Sequence, residues 1–253
     1  MTCEKFSTGS SFFHRCDPRV KIVLLTLAAW VVATLNTLTC QLLALTLAWT
    51  MLLVSRLPKK EVLVRLLGFN AFCLLIWLTT PFTTSGEVLF HLIGPLEISK
   101  TGVMSALEVT LKSNAILFMT LSMLSTSTIT QITHALSHLK VPPRAIQLFY
   151  FTWRYIHVVS QEAKKIQEAM RLRGFRLRTS LYTYRYIGYF LGAIFIKSYD
   201  SGTQVQRAME LRGFNGTFWL IDHFTLKKAD MVFFAVGIGT IGLIFLGDHF
   251  GNL

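Results

Sequence analysis

Long apolar segments, separated by short polar connections, dominate the hydropathy pattern of the chain. Five of them approach the roughly 20 mainly apolar residues that a helix needs to cross a bilayer. They lie at residues 20–35, 40–57, 66–81, 102–124 and 230–246. The pattern therefore predicts an all-α membrane protein with about five transmembrane helices, in which a short polar turn joins the first two as a hairpin.

A long insertion separates the fourth predicted span from the fifth, and its periodicity predicts helices. Residues 129–139 carry apolar side chains at intervals of three and four, and Pro143 then begins a second helix that is predicted to reach Arg173. A third helix is predicted from Tyr186 to Arg212. The predicted regions are the N-terminal segment with four spans (1–125), a cytoplasmic region of long helices (126–229), and the last span with a short external tail (230–253).

Composition and charge narrow the class further. Apolar residues make up 52% and charged residues only 15% of the 253 positions, whereas soluble domains carry about 25% charged residues. This composition excludes a disordered protein, a disulfide scaffold and an ordinary soluble domain. Most of the formal charge of +12 lies in residues 126–228, which contain 15 Lys and Arg residues but only five acidic residues. Such a surface suits anionic lipid headgroups or an acidic partner protein, and no nucleic acid partner is expected.

The distribution of Lys and Arg among the connections predicts the orientation of the chain. The N-terminal segment and the connection between the second and third spans are basic, so both are expected in the cytoplasm. The first connection is uncharged, and the tail after Leu246 contains Asp248 but no Lys or Arg. The N-terminus is therefore predicted inside and the C-terminus outside.

An internal repeat is the most informative motif. The sequence AMRLRGF at residues 169–175 returns as AMELRGF at residues 208–214, identical at six of seven positions and 39 residues later. Each copy places an Arg on the last turn of a predicted helix, directly before a Gly that stops it. One such Arg can simply counter the negative end of its own helix. Two matched copies favour a docking role, because Arg and aromatic residues dominate protein interfaces.

Together with two further motifs, this repeat resembles a known family. The motifs are HRCDPRVK at residues 14–21, and VPPR at residues 141–144 followed by FTWRY at residues 151–155. The chain is similar to the transmembrane coupling (T) subunit of energy-coupling factor (ECF) ABC transporters, the EcfT/CbiQ family, and within it to the cobalt and nickel branch. The resemblance implies a non-catalytic subunit of a prokaryotic inner membrane. It would join two cytoplasmic ABC ATPases, or an ATPase homodimer, to a membrane-embedded substrate-binding S component.

The resemblance also implies which residues contact the ATPases. The matching positions are Ala169, Arg173 and Gly174 in the first copy and Ala208, Arg212 and Gly213 in the second, with Met170, Phe175, Met209 and Phe214 as accessory contacts. Where the family often has Ala before the Arg, this chain has Leu172 and Leu211. No cofactor is expected in this chain, which lacks a P-loop, and ATP and Mg are expected in the partner ATPases.

Polar groups within the predicted spans leave a second hypothesis open. Glu108 and Lys112 lie four residues apart in the fourth span, where charged residues are costly and often functional. They are expected to pair on one helix face, either structurally or as the path of a self-contained secondary transporter or channel. Asn70 and Asn114 are expected to form hydrogen bonds between helices.

Neither a metal site nor a catalytic site is predicted. His134 and His138 have the i, i+4 spacing of paired metal ligands, but the Glu of an HExxH motif is missing. His14, Cys16 and Asp17 form at most a weak chelate, and a cap before the first span is the favoured interpretation. The sequence also contains no GxSxG motif and no carboxylate cluster, so an enzyme is not predicted.

Overall fold

The computed structural model describes residues 11–84, 88–93, 96–139, 141–176, 178–216 and 228–251. The end of the predicted cytoplasmic region, residues 217–227, therefore lies outside the described residues.

The chain divides into two compact units. Met1–Ala135 and Phe224–Leu253 form the membrane unit, and Leu136–His223 form the α7–α8 unit. The described elements are α1 (Phe12–Arg15), α2 (Pro18–Thr34), α3 (Leu38–Ser55), α4 (Lys59–Thr83), β1 (Val88–Ile93), β2 (Leu96–Ser99), α5 (Lys100–Met123), α6 (Ile129–His138), α7 (Pro143–Leu172), α8 (Leu181–Leu211) and α9 (Lys228–Gly251).

Each of the five predicted apolar segments is helical, and the segments correspond to α2, α3, α4, α5 and α9. Three described helices are long and apolar enough to cross a membrane, namely α3, α4 and residues Lys228–Phe250 of α9. Helices α2 and α5 are not among these three. Helix α2 has 17 residues, and α5 contains the charged side chains of Glu108 and Lys112. The prediction of a helical membrane protein is confirmed, and the short amphipathic helix predicted at residues 129–139 is α6.

The connection between α4 and α5 contains a short antiparallel hairpin. Strand β1 pairs with β2, with Val88 opposite Ser99 and Ile93 opposite Leu96. The sequence of this connection contains Gly and Pro residues, which normally interrupt regular structure. The all-α prediction therefore describes the helices but omits this hairpin.

Small side chains allow α3 to pack closely against its neighbours. Cys40, Ala44, Ala48 and Ser55 recur along one face of α3 and are buried, as is Ala115 on α5. In a membrane, where lipid tails are as apolar as the side chains, small residues favour association because they let two helix backbones approach. Cys40, Ala44, Ala48 and Ala115 belong to the main core, which also contains Val31, Leu35, Phe118 and Leu121.

Hydrogen bonds between polar side chains join α4 to α5. Asn70 and Asn114 exchange a reciprocal pair of amide hydrogen bonds, and each Nδ2 lies 3.2 Å from the other residue's Oδ1. Further along the same two helices, Trp77 Nε1 donates to Thr110 Oγ1 at 2.9 Å. The predicted interhelical role of the two asparagines is confirmed.

Two carboxylates attach α9 to the rest of the membrane unit, one near each end. Asp230 Oδ1 accepts from the backbone N–H of Asp17 at 3.1 Å. Asp248 Oδ1 accepts from the backbone N–H groups of Asn36 and Thr37 at 3.1 and 2.7 Å. Both aspartates are buried, so these bonds fix α9 against the start of α2 and against the turn that follows it.

A buried polar cluster lies where α2 begins and α5 ends. Asp17 caps α2 by accepting from the backbone N–H of Arg19 at 2.9 Å. Lys21 is only 2% exposed, and its Nζ donates to the hydroxyl groups of Thr126 and Ser127 at 3.3 and 3.0 Å. The interpretation of this segment as a helix cap is confirmed for α2.

Two long helices make up most of the α7–α8 unit. They contain 30 and 31 residues, which corresponds to about 45 Å each. Helix α7 ends at Leu172, one residue before the predicted end at Arg173. Helix α8 begins at Leu181 instead of Tyr186, because Ser180 Oγ accepts from the backbone N–H of Thr183 at 3.3 Å and caps the helix five residues earlier. Among the described residues, α7 buries no side chain and α8 buries only Thr183.

Candidate functional site

The first copy of the repeat forms a closed C-terminal cap on α7. The Phe175 N–H donates to the Met170 carbonyl at 3.1 Å, and the Gly174 N–H donates to the Arg171 carbonyl at 3.0 Å. These two bonds define a Schellman motif, which needs a residue with positive φ after the helix. Gly174 has φ +81°, a conformation that glycine adopts without steric cost. The cap therefore fixes the backbone on both sides of Arg173.

The second copy forms the same cap on α8. The Phe214 N–H donates to the Met209 carbonyl at 3.1 Å, and the Gly213 N–H donates to the Glu210 carbonyl at 2.9 Å. Gly213 also has φ +81°. The sequence repeat is therefore a structural repeat, and Arg212 occupies the same boundary position as the arginine at the end of α7.

The two ends also match in what they expose. From residue 166 to 175 and from 205 to 214, every position falls in the same burial class as its counterpart. The Met and Phe of each copy are half-buried, whereas the Ala, Leu, Arg and Gly are exposed. Within the described part of the chain, neither Arg173 nor Arg212 has a hydrogen-bonding or ion-pair partner for its side chain. Both guanidinium groups are therefore available to another molecule.

Leu172 and Leu211 are highly exposed residues of the repeat that were not among the predicted contact residues. They directly precede the two arginines and are 90% and 89% exposed, the highest values among the exposed large apolar residues of the described chain. A single exposed leucine is ordinary on a protein surface. The same exposure at both matched positions gives each end an apolar side chain beside a cation. The signal in the sequence was that both copies keep a leucine at this position.

The two helices run in opposite directions, so the matched ends are separate. Phe151, in the first half of α7, and Gln206, near the end of α8, line one groove of about 640 Å³. Met170, near the end of α7, and Ile187, near the start of α8, line a second groove of about 240 Å³. With helices of about 45 Å, the two arginines lie at opposite ends of the pair. The repeated motif therefore forms two separate exposed ends instead of one combined site.

The surface around the end of α7 is strongly basic. Between Glu168 and Asp200 the sequence contains no acidic residue. The basic side chains of this stretch that lie near the end of α7 are Arg171, Arg173, Arg176, Arg178 and Arg185, and all are exposed. Lys197 lies in the middle of α8. Further back on α7, a hydrogen bond from Lys165 Nζ at 2.9 Å lowers the pKa of Glu162, so this carboxylate stays ionised at neutral pH. A partner of this surface is expected to be acidic.

The structure does not bring Glu108 and Lys112 together. Both are half-buried on α5, and within the described residues no ion pair joins them. Lys112 Nζ instead lies 3.5 Å from the backbone carbonyl oxygen of Ala33, to which it donates. The i, i+4 spacing permits an ion pair but does not enforce one. Here the lysine reaches the last turn of α2, where carbonyl groups have no partner within the helix.

The histidine and cysteine candidates are not arranged as metal sites. His134 is buried, whereas His138 is exposed. Cys16 is buried, and this burial raises the pKa of its thiol. Asp17 of the same segment caps α2. In the part of the chain that the structure describes, no group of three or more His, Cys, Asp or Glu side chains is placed to hold a metal ion.

These features define a class of helical membrane protein that carries two matched, exposed Leu-Arg-Gly-Phe ends on a pair of long helices. The family described as "Cobalt transport protein" (CbiQ) matches the chain over residues 9–220. The chain therefore belongs to the CbiQ family, and the resemblance to EcfT/CbiQ proteins is confirmed.

Curated relatives carry the name "Energy-coupling factor transporter transmembrane protein EcfT". The protein from Leuconostoc gelidum subsp. gasicomitatum is 26% identical over 261 residues, covering 96% of this chain and 95% of the relative. The Bacillus subtilis protein is 26% identical over 229 residues, covering 85% of each chain. The Listeria innocua protein is 24% identical over 226 residues, again covering 85% of each. The similarity therefore extends over most of the length of both chains.

Proposed function

We propose that this chain is the transmembrane coupling subunit of an ECF-type ABC importer. The observation that carries this proposal is the pair of matched helix ends, each with an exposed Leu and Arg in front of a glycine-centred cap. Family membership supports it, because the curated relatives are named as transmembrane proteins of such transporters. The sequence has no P-loop, so ATP and Mg belong to partner subunits, and this subunit is not an enzyme.

Each helix end docks into a groove of one ATPase subunit. A guanidinium group forms two parallel hydrogen bonds with a carboxylate, a geometry that an ammonium group cannot reproduce. The exposed leucine next to it adds apolar contact, which is worth about 1.5–3 kcal/mol for a fully buried leucine side chain. Arg173→Lys and Arg212→Lys are therefore both expected to weaken coupling although they keep the charge.

ATP-driven closure of the ATPase pair moves the two grooves, and the helix ends move with them. The Schellman caps hold the backbone of each arginine in a fixed position relative to its helix. Helices of about 45 Å then carry the displacement as rigid elements towards the membrane unit and the S component. The function of the α7–α8 unit in this proposal is mechanical.

Within the membrane unit we propose five spans, α2, α3, α4, α5 and α9. The N-terminus is inside and the C-terminus outside the inner membrane of a prokaryote. The basic connection after α3 supports this orientation. Helix α4 exposes a long apolar surface that includes Leu67, Leu74 and Leu78. This surface suits lipid tails or the substrate-binding S component.

The cargo in this proposal is a cobalt or nickel ion, recognised by the S component. The description of the matching family supports cobalt. The alternative, a secondary transporter or channel that uses Glu108 and Lys112, gains no support from the geometry, because Lys112 donates to the Ala33 carbonyl at the end of α2.

Co-purification of the solubilised chain with its co-expressed ATPases tests the proposal. The wild-type chain should retain the ATPases, and Arg173→Glu with Arg212→Glu should lose them while its unfolding temperature stays unchanged. A matched control, Lys164→Glu with Lys197→Glu, makes the same charge change on the same helices away from their ends and should retain them. Retention by the arginine double variant, or no retention by the wild type, would contradict the proposed function.

A further inference from the structure

A reversal of charge distinguishes the two otherwise matched helix ends. From residue 167 to 175 and from 206 to 214, the two copies are identical except at two positions. Where the first copy has Glu168, the second has Arg207, and where the first has Arg171, the second has Glu210. At these two positions each copy therefore holds one acid and one base, three residues apart, in opposite order.

These four charges are exposed and are not neutralised within their own copy. All four side chains belong to the exposed class, and among the described residues no ion pair joins Glu168 to Arg171 or Arg207 to Glu210, although i, i+3 spacing would permit it. Glu210 Oε1 instead accepts a hydrogen bond from Gln206 Nε2 at 3.0 Å. The charges are therefore presented to the surroundings, within about one and a half turns of the docking arginines.

Helix stability does not account for the order of charges in the second copy. A cation on the last turn of a helix is favourable, and Arg171 on α7 satisfies this rule. Glu210 lies on the last turn of α8 and opposes the helix dipole. An acid at a locally unfavourable place, beside the docking arginine, points to a contact outside the chain.

We propose that this reversal determines which ATPase subunit docks at which helix end. The groove at the end of α7 presents an acidic group to Arg171, and the groove at the end of α8 presents a basic group to Glu210. The two grooves, and hence the two ATPase subunits, are not identical. Exchanging them would bring like charges together at both ends, which suppresses the wrong arrangement. The inference rests on the proposed function, because it requires each end to dock on an ATPase.

Photo-crosslinking in the assembled complex tests the inference. A photoreactive residue replaces Arg176 or Asn215, which are exposed and follow the two caps at matched positions. Each position should cross-link to a different ATPase subunit, with at least a tenfold preference in yield. The full exchange variant, Glu168→Arg, Arg171→Glu, Arg207→Glu and Glu210→Arg, keeps the composition and the net charge and should reverse this preference.

A control variant moves charges between the same helices at other positions. Lys164→Asp with Asp200→Lys should leave the preference as in the wild type. The inference alone would be overturned by equal cross-linking of both positions to both subunits, by a preference that the full exchange leaves unchanged, or by a single ATPase species in the complex. Absence of any ATPase cross-link at both positions would overturn the proposed function as well, so the two failures are distinguishable.

Discussion

The membrane unit and the α7–α8 unit bury their side chains to very different extents. Helices α3 and α5 each bury a series of residues, many of them small. By contrast, α7 buries none of its described side chains and α8 buries only Thr183. The membrane unit is therefore held together by contacts within itself. The long helices depend on their caps and local hydrogen bonds, which leaves their surface available to partners.

Opening the two helix caps tests this difference with the largest expected effect. Valine at Gly174 and Gly213 would have to adopt φ near +81°, at a cost of roughly 1–2 kcal/mol at each position. Gly174→Val with Gly213→Val is therefore expected to open both caps and abolish ATPase retention. The thermal unfolding of the membrane unit should not change.

The control for this prediction uses two glycines of the same unit in ordinary helical conformation. Gly188 and Gly202 have no neighbouring atom within 4 Å of an added Cβ. Replacing them with alanine should stabilise α8 by about 0.5–1 kcal/mol each and preserve retention. Equal retention by the valine and alanine variants would show that the caps are not needed for docking.

Truncation of the exposed leucines should weaken docking without affecting the fold. Leu172 and Leu211 are 90% and 89% exposed, so Leu172→Ala with Leu211→Ala removes almost no contact within the chain. A buried leucine at an interface is worth about 1.5–3 kcal/mol, and each truncation should weaken ATPase binding about tenfold. The dissociation constant and the circular dichroism spectrum are the measurements. Methionine at both positions should restore binding, and unchanged affinity of the alanine variant would exclude the leucines from the interface.

Enlargement of a small buried residue should, in contrast, lower the stability of the fold. Ala48 is fully buried on α3, and Ala48→Phe is expected to destabilise the membrane unit by about 1–3 kcal/mol. Leu53→Phe is the control, because Leu53 is 61% exposed on the same helix. Thermal unfolding in detergent should show a lower midpoint only for the first variant. A normal midpoint for Ala48→Phe would mean that close packing of α3 is not essential.

The amide pair between α4 and α5 should make the smallest contribution. A double-mutant cycle with Asn70→Leu and Asn114→Leu should give a coupling energy of about 0.6 kcal/mol, the average for hydrogen bonds between membrane helices. The reciprocal bonds at 3.2 Å predict a favourable sign. A coupling energy of zero would show that the two amides contribute independently.

Local patterns were sufficient to predict most of the helices and both caps. The apolar segments, Pro143 and the two Gly residues after the arginines define structure through backbone conformation and periodicity within a few residues. The start of α8 was predicted five residues too late, at Tyr186, whereas the cap at Ser180 begins the helix at Leu181. That cap is also a local signal.

The remaining features depend on contacts between residues that are distant in the sequence. Lys112 reaches the carbonyl of Ala33 on another helix, and Asp248 binds the turn at Asn36 and Thr37. No spacing within one segment specifies such partners. The exposure of the leucines before the two arginines likewise follows only from the three-dimensional path of the helix ends.

The relative motion of the two helices is the most direct test of the coupling account. Spin labels at Lys164→Cys and Gln204→Cys, exposed positions on α7 and α8, would be introduced into a chain whose native cysteines are replaced by alanine. In the complex with the ATPases, double electron–electron resonance spectroscopy should give one distribution of distances between the two labels without nucleotide and a different one with trapped ATP. The change should disappear when Arg173→Glu and Arg212→Glu are added. An identical distribution in both nucleotide states of the wild-type complex would contradict the claim that these helices transmit ATP-driven motion.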